Sequence, residues 1–108
     1  MARVVSLAEL IPLVAQERAT GRSVVLANGA FDLLHVGHIR YLQGAAAEGD
    51  VLVVALNSDA SVRALKGAGR PVVPLADRVE IIAALACVDY VTTFEETKVT
   101  AVLLALKP

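Results

Sequence analysis

Two histidines three residues apart, His35 and His38, close the stretch Asn28-Gly29-Ala30-Phe31-Asp32-Leu33-Leu34-His35-Val36-Gly37-His38. Imidazole nitrogens donate hydrogen bonds to phosphate oxygens, and such donors count most where negative charge grows during displacement at phosphorus. At the first turn of a helix, side chains at i and i+3 project toward the same bound group. Gly29 and Gly37 take side chains away from places where a ligand must approach the main chain. The free N–H groups of a helix start, with the helix dipole, favour an anion. Handling of a phosphoryl group is the chemistry these residues suit. Two histidines and a carboxylate could also suggest zinc, but i, i+3 rings at a phosphate-binding turn lack a convincing third ligand. His35 and His38 would, on their own, also suit local bonds at a helix start; their setting favours the phosphate role.

Such a turn needs a strand before it and a helix after it, and the chain supplies both. Ser23-Val24-Val25-Leu26-Ala27 is a short β-branched run of the kind buried on both faces of a sheet. A helix is expected from about residue 35 to 48, stopped by Gly49-Asp50. Residues 51–56 form a second apolar strand, and a short helix over about 59–66 ends at Gly67 in a loop carrying Gly69, Arg70, Pro71 and Pro74. Upstream, Ser6 and Glu9 have capping-box spacing for a helix reaching about residue 20, although Pro12 suggests a start nearer Ile11. Asp77 and Glu80 offer another box for a helix over 78–86. Residues 88–93 read as a third strand, and Val99, Val102, Leu103 and Leu106 as an amphipathic stripe. Apolar strands alternating with helices imply a parallel sheet with right-handed crossovers. The expected fold is α/β: one doubly wound, Rossmann-like, three-layer α/β/α domain over residues 1–108. Ligands of such sheets bind beyond the carboxyl ends of the strands.

Composition narrows the partners. A net charge of -1 without a basic run argues against nucleic acid, so an anion must be held by a local site. No uninterrupted apolar run approaches the ~18 residues of a membrane span. Residues 1–6 have no long apolar core, so no secretory signal is expected. Cys87 is the sole cysteine, which fits a reducing cytoplasm and, after an apolar helix, a small core residue.

Gly29-Ala30-Phe31-Asp32 followed by His35-Val36-Gly37-His38 resembles the GxFD and HxGH signature of the nucleotidyltransferase superfamily that includes the cytidylyltransferases. Downstream, Arg40-Tyr41-Leu42, Asn57-Ser58-Asp59, Leu65-Lys66-Gly67, Gly69-Arg70-Pro71, Asp77-Arg78 and Cys87-Val88-Asp89-Tyr90-Val91 are similar to the heptose 1-phosphate adenylyltransferases within it. The likeness runs over about residues 22–94. It implies that His35 and His38 contact the nucleotide phosphates and stabilise the transition state, with Lys66 reaching toward phosphate from its loop. Asn28, Gly29, Ala30, Phe31 and Gly37 would line the nucleotide site, largely through main chain. Asp32, Asn57, Asp59, Arg70 and Arg78 would serve the substrate side. From the residues alone, Asp32 equally suits fixing a turn, Lys66 and Arg70 equally suit solvated charges, and Ser58 suits a helix cap.

The implied reaction is in-line attack of a sugar-phosphate oxygen on the α-phosphorus of ATP, with pyrophosphate leaving and Mg²⁺ sharing its charge. No resident protein metal is expected. Ala30 stands where the heptose enzymes usually have cysteine, a change the main-chain role tolerates. The family pattern also continues past residue 108 into another strand, a KGxDY-like segment and a C-terminal helix. The expectation is therefore a core lacking its last strand and helix, with an apolar sheet edge beside the first predicted strand open to a homodimer or larger assembly. Two other functions stay open: a CTP-dependent enzyme for glycerol 3-phosphate, and a nucleotide-binding core without turnover.

Overall fold

The computed structural model describes residues 1–95 together with Leu103 and Leu106. Its elements follow the chain as β1 (Arg3–Val4), α1 (Leu7–Ala19), β2 (Val24–Gly29), α2 (Val36–Ala47), β3 (Val51–Asn57), α3 (Asp59–Lys66), α4 (Leu75–Ala83) and β4 (Tyr90–Phe94). Four parallel strands make one sheet in the order β1-β4-β3-β2. The chain therefore runs from β1 at one edge to β2 at the other, then returns through β3 to β4.

Right-handed crossovers put the helices of the outward and return journeys on opposite faces. Leu10 and Val14 of α1 pack with Val51, Val53 and Ala55 on one face. Leu42 of α2 and Ile82 and Ala83 of α4 pack with Leu52, Val54 and Leu56 on the other. Every residue of β3 is buried, which is why this strand is apolar without alternation. The doubly wound, three-layer α/β arrangement is present. Among the described residues, no strand lies beyond β2. Of the expected last stripe, Leu106 is buried on the α1 face and Leu103 is exposed, whereas Val99 and Val102 lie outside the described residues.

Three local expectations are revised. α1 starts at Leu7 rather than near Ile11: Ser6 Oγ accepts the Glu9 N–H at 3.2 Å, and Glu9 accepts the Ser6 N–H at 3.0 Å. Pro12 is tolerated inside α1 because Ala8, whose carbonyl loses its helical partner, is exposed to water. α4 starts at Leu75, and Asp77 does not cap it. β2 continues through Asn28 and Gly29, so these two residues end a strand rather than open a turn. The unbroken register from Val24↔Val51 to Gly29↔Leu56 brings the carboxyl ends of β2 and β3 level, and that is where the candidate chemistry lies.

Candidate active site

The two histidines form a reciprocal cap on α2. His35 is the N-cap residue, and its Nδ1 accepts the Gly37 N–H at 3.0 Å. His38 Nδ1 accepts the His35 N–H at 3.1 Å. The rings stack with centroids 4.0 Å apart. A nitrogen that accepts cannot carry the proton, so both neutral rings hold it on Nε2. The local bonds and the phosphate role are thus compatible: Nδ1 serves the helix, and the Nε2–H edges are left as a pair of donors. His38 has its pKa held below the ordinary 6.5 by burial first, then by the neighbouring His35 and the Lys66 charge. The neutral donor form is favoured accordingly.

Gly37 has a steric reason. A Cβ there would lie 2.7 Å from Cε1 and 2.9 Å from Nδ1 of His35, where the ring reaches over the helix start. Gly37→Ala is expected to push the ring outward and break its bond to the residue 37 N–H. Turnover should fall at least about tenfold as the misplaced ring loses its aim, while the ~1 kcal/mol lost with the cap bond is largely offset by alanine's ~1 kcal/mol better helix propensity. Melting curves beside rate measurements check this. A fully active alanine variant would contradict it.

The segment between β2 and α2 is conformationally strained. Phe31 and Leu33 both have left-handed backbone, with φ of 51° and 53°. Side chains rarely adopt that region, and such residues gather at functional sites. Phe31 is held by its ring, which lies edge-on to His38 at 5.6 Å and stacks with Tyr41 at 6.3 Å. Gly29 makes room for it, since a Cβ there would sit 3.1 Å from the Phe31 ring. Tyr41 is not among the expected site residues, although Arg40-Tyr41-Leu42 is one of the segments carrying the family resemblance and its place one turn after His38 puts it on the same side of α2.

Asp32 is turned toward segment 70–73. Its buried carboxylate accepts the N–H groups of Val72 and Val73, each at 2.9 Å, and an Arg70 N–H at 3.1 Å. Burial raises its pKa, but the two main-chain bonds and the bond and charge of Arg70 outweigh this and hold it at about 2. All of these contacts are internal, so the structure uses Asp32 to fix a loop, the second of its two readings.

Arg78 is also turned inward. Its side chain is fully buried, with Nε donating to the Val73 carbonyl at 2.9 Å. One terminal nitrogen donates to the carbonyls of Ala30 and Asn57 at 2.8 and 2.9 Å, and the other to Asp59 at 2.6 Å. The substrate contact expected of Arg78 is not what these bonds show, because four donors are spent on the protein itself. Asp59, 41% exposed at its side chain, also accepts the Leu75 N–H at 3.0 Å and so caps α4 from α3. Asn57 is buried, with its side-chain amide 3.4 Å from the Ser61 hydroxyl, and Ser58 caps α3 through the Ser61 N–H.

Lys66 and Arg70 are the cations left on the open side. Lys66 ends α3, exposed, close enough for its charge to lower the pKa of His38. Lys66→Met should therefore raise that pKa, because one of the positive charges opposing protonation is gone. A proton NMR titration of the imidazole reads the shift; a fall would contradict the placement. Arg70 keeps its side chain 41% exposed while bonded to Asp32. The structure thus brings Phe31, His35, Gly37, His38 and Lys66 near one another, and engages Asp32, Asn57, Asp59 and Arg78 in bonds within the protein. Among the described residues, no group of three or more His, Cys, Asp or Glu side chains is placed to hold a metal ion, and no helix is long and apolar enough to cross a membrane.

Comparison with known proteins agrees with this architecture. The sequence pattern of the cytidylyltransferase-like family matches residues 26–108. The bifunctional protein HldE of Geobacter metallireducens is 50% identical over 107 residues, covering 99% of this chain and 22% of that protein. HldE of Trichlorobacter lovleyi is 54% identical over 99 residues, covering 92% of this chain and 20% of that protein. The chain spans about a fifth of the length of these curated relatives. A crystal structure of the lipopolysaccharide core biosynthesis protein from Thermoplasma volcanium superposes with a TM-score of 0.75 at 32% identity, covering 81% of this chain and 70% of that one. With the paired-histidine helix start at the carboxyl end of β2 and a family match over most of its length, the chain belongs to the cytidylyltransferase-like family of nucleotidyltransferases.

Proposed function

We propose that the chain is the transfer core of an adenylyltransferase, which moves AMP from ATP to a sugar 1-phosphate of the heptose type and releases pyrophosphate. The observation that carries this reading is the reciprocal cap of His35 and His38, which fixes two Nε2–H donors at a helix N-terminus. As the bond from the α-phosphorus to the leaving oxygen stretches, charge accumulates on the phosphate oxygens. Preorganised donors stabilise that state without reorganising. Asn28, Gly29, Ala30 and Phe31 would receive the nucleotide, with Lys66 on the phosphates. Arg70 would meet the acceptor. Aligning the two substrates supplies the rest of the rate, and no covalent intermediate on the protein is needed.

Magnesium belongs to this reading as a companion of the triphosphate. Mg²⁺ keeps much of its water and takes few protein ligands when it binds with phosphates. That fits a site whose buried carboxylate, Asp32, is already committed to three donors and whose half-exposed one is Asp59. Bound there, the ion would neutralise charge on the departing pyrophosphate.

The deciding experiment measures pyrophosphate release with Mg²⁺, pairing ATP or CTP with heptose 1-phosphate or glycerol 3-phosphate. Turnover confined to ATP and the heptose phosphate is expected. Turnover with CTP and glycerol 3-phosphate would replace the reading with that of a cytidylyltransferase. No turnover by folded protein with any pair would leave a nucleotide-binding core.

A further inference from the structure

Asp32 and Arg78 meet on the main chain of one residue, Val73. Val73 donates its N–H to Asp32 Oδ1 and offers its carbonyl to Arg78 Nε, each at 2.9 Å. Arg78 reaches from there to the Ala30 carbonyl at 2.8 Å, and Ala30 lies two residues before Asp32. The circuit Ala30, Arg78, Val73, Asp32 is closed. Asn57 at the end of β3 and Asp59 at the start of α3 are tied into it through the same guanidinium. Arg70, whose side chain is 41% exposed, is bonded into the circuit through Asp32.

We propose that Asp32 and Arg78 are positioning residues that latch segment 70–74 to the loop after β2, so that the wall meeting the acceptor substrate moves as one body with the loop receiving the nucleotide. The inference rests on the transferase reading above and deepens it: neither residue touches substrate, yet both set where Arg70 stands relative to the histidine pair. Main-chain carbonyls at 30, 57 and 73 cannot be matched to a single point charge, but a planar guanidinium with donors in a fixed fork can reach all three. An ionised carboxylate similarly gathers two N–H groups and a cation at once. The latch also gives the strained Phe31 and Leu33 backbone something to be held by, since residues on both sides of Phe31 are its anchor points.

Asp32→Asn tests it with little change in shape. The amide NH₂ cannot accept, so the variant sets a second donor against both the Val72 N–H and Arg70, or, with the amide flipped, against the Val73 N–H. Hydrogen exchange at Val72 and Val73 should be slow in the native protein, slower still with Mg²⁺ and ATP, and accelerated in Asp32→Asn with no response to nucleotide. In steady state, the acceptor KM should rise about tenfold or more, matching the loss of a charged hydrogen bond, while the ATP KM stays within about twofold. Arg78→Lys should show the same split, and Asp59→Ala, which removes the acceptor of an Arg78 N–H, takes its place if the lysine variant does not fold. An unchanged acceptor KM despite lost protection, or an equal rise in both KM values, would overturn the latch. If the native protein turns over no acceptor, the transferase reading fails separately. The response of Val72 and Val73 exchange to Mg²⁺ and ATP then decides: slowing supports the latch, and no change overturns it.

Discussion

Replacing His38 by alanine should lower kcat about 10²–10³-fold while the nucleotide KM changes only a few-fold, because one preorganised donor to a developing negative charge is lost. Alanine also removes the Nδ1 cap on the His35 N–H, so two further variants separate the roles of the ring nitrogens. His38→Asn keeps an acceptor near the Nδ1 position and lacks the outer donor; it should be as slow as alanine but more stable. His38→Gln places an amide near Nε2 and should recover part of the rate. Full turnover by His38→Asn would refute the donor role. The pH profile carries the same signature. Protonation puts a hydrogen on Nδ1, where it opposes the His35 N–H, so the capped form is the neutral one. With a folded pKa below 6.5, the stabilisation from this cap is present above 6.5 and is lost as pH falls through the lower folded value. The acid limb of kcat should accordingly lie below pH 6.5.

Arg78→Ala should be the most destabilising single change at the site, by about 3–4 kcal/mol, since it opens a cavity and strips the carbonyls of Ala30, Asn57 and Val73 of their donor. For a chain of this size, that corresponds to a fall in Tm of more than about 10 °C. Asp59 contributes less of the penalty because its side chain is 41% exposed and water can replace the guanidinium. Arg22→Ala is the control. Arg22 pairs with Glu17 at 3.0 Å on the surface, 58% exposed, and its loss should cost no more than about 1 kcal/mol. Thermal unfolding of the two variants side by side gives the answer, and near-equal Tm values would show that burial does not set the cost.

What the sequence made legible was local. The Ser6 box, the apolar runs of β2 and β3, α3 between Asp59 and Lys66, and the histidine turn are each written in neighbouring residues. What it hid depends on contacts distant along the chain. β1 is two exposed residues that become a strand only by pairing Arg3 with Tyr90. The start of α4 follows from Asp59 accepting the Leu75 N–H, whereas the nearer Asp77 carries the local signal. Asp32 and Arg78 were both recognisable as site residues, but charge and position could not tell a scaffold from a ligand. That distinction lies in which carbonyls and N–H groups they reach, and Val72, Val73 and Ala30 meet them through main-chain atoms that side-chain identity does not announce.

The strand order also separates two kinds of event in space. Pairing Arg3 with Tyr90 closes a loop almost as long as the described chain, offset by a two-residue ladder, the Ala2 and Val5 N–H bonds to Ala83 and Val91, and burial of Ala2. β2, β3 and β4 are joined by much shorter crossovers. Opening of the sheet should therefore begin at its β1 edge, which β4 and β3 separate from β2. A local opening of the N-terminal seam should leave the β2–β3 register beneath the histidine pair intact.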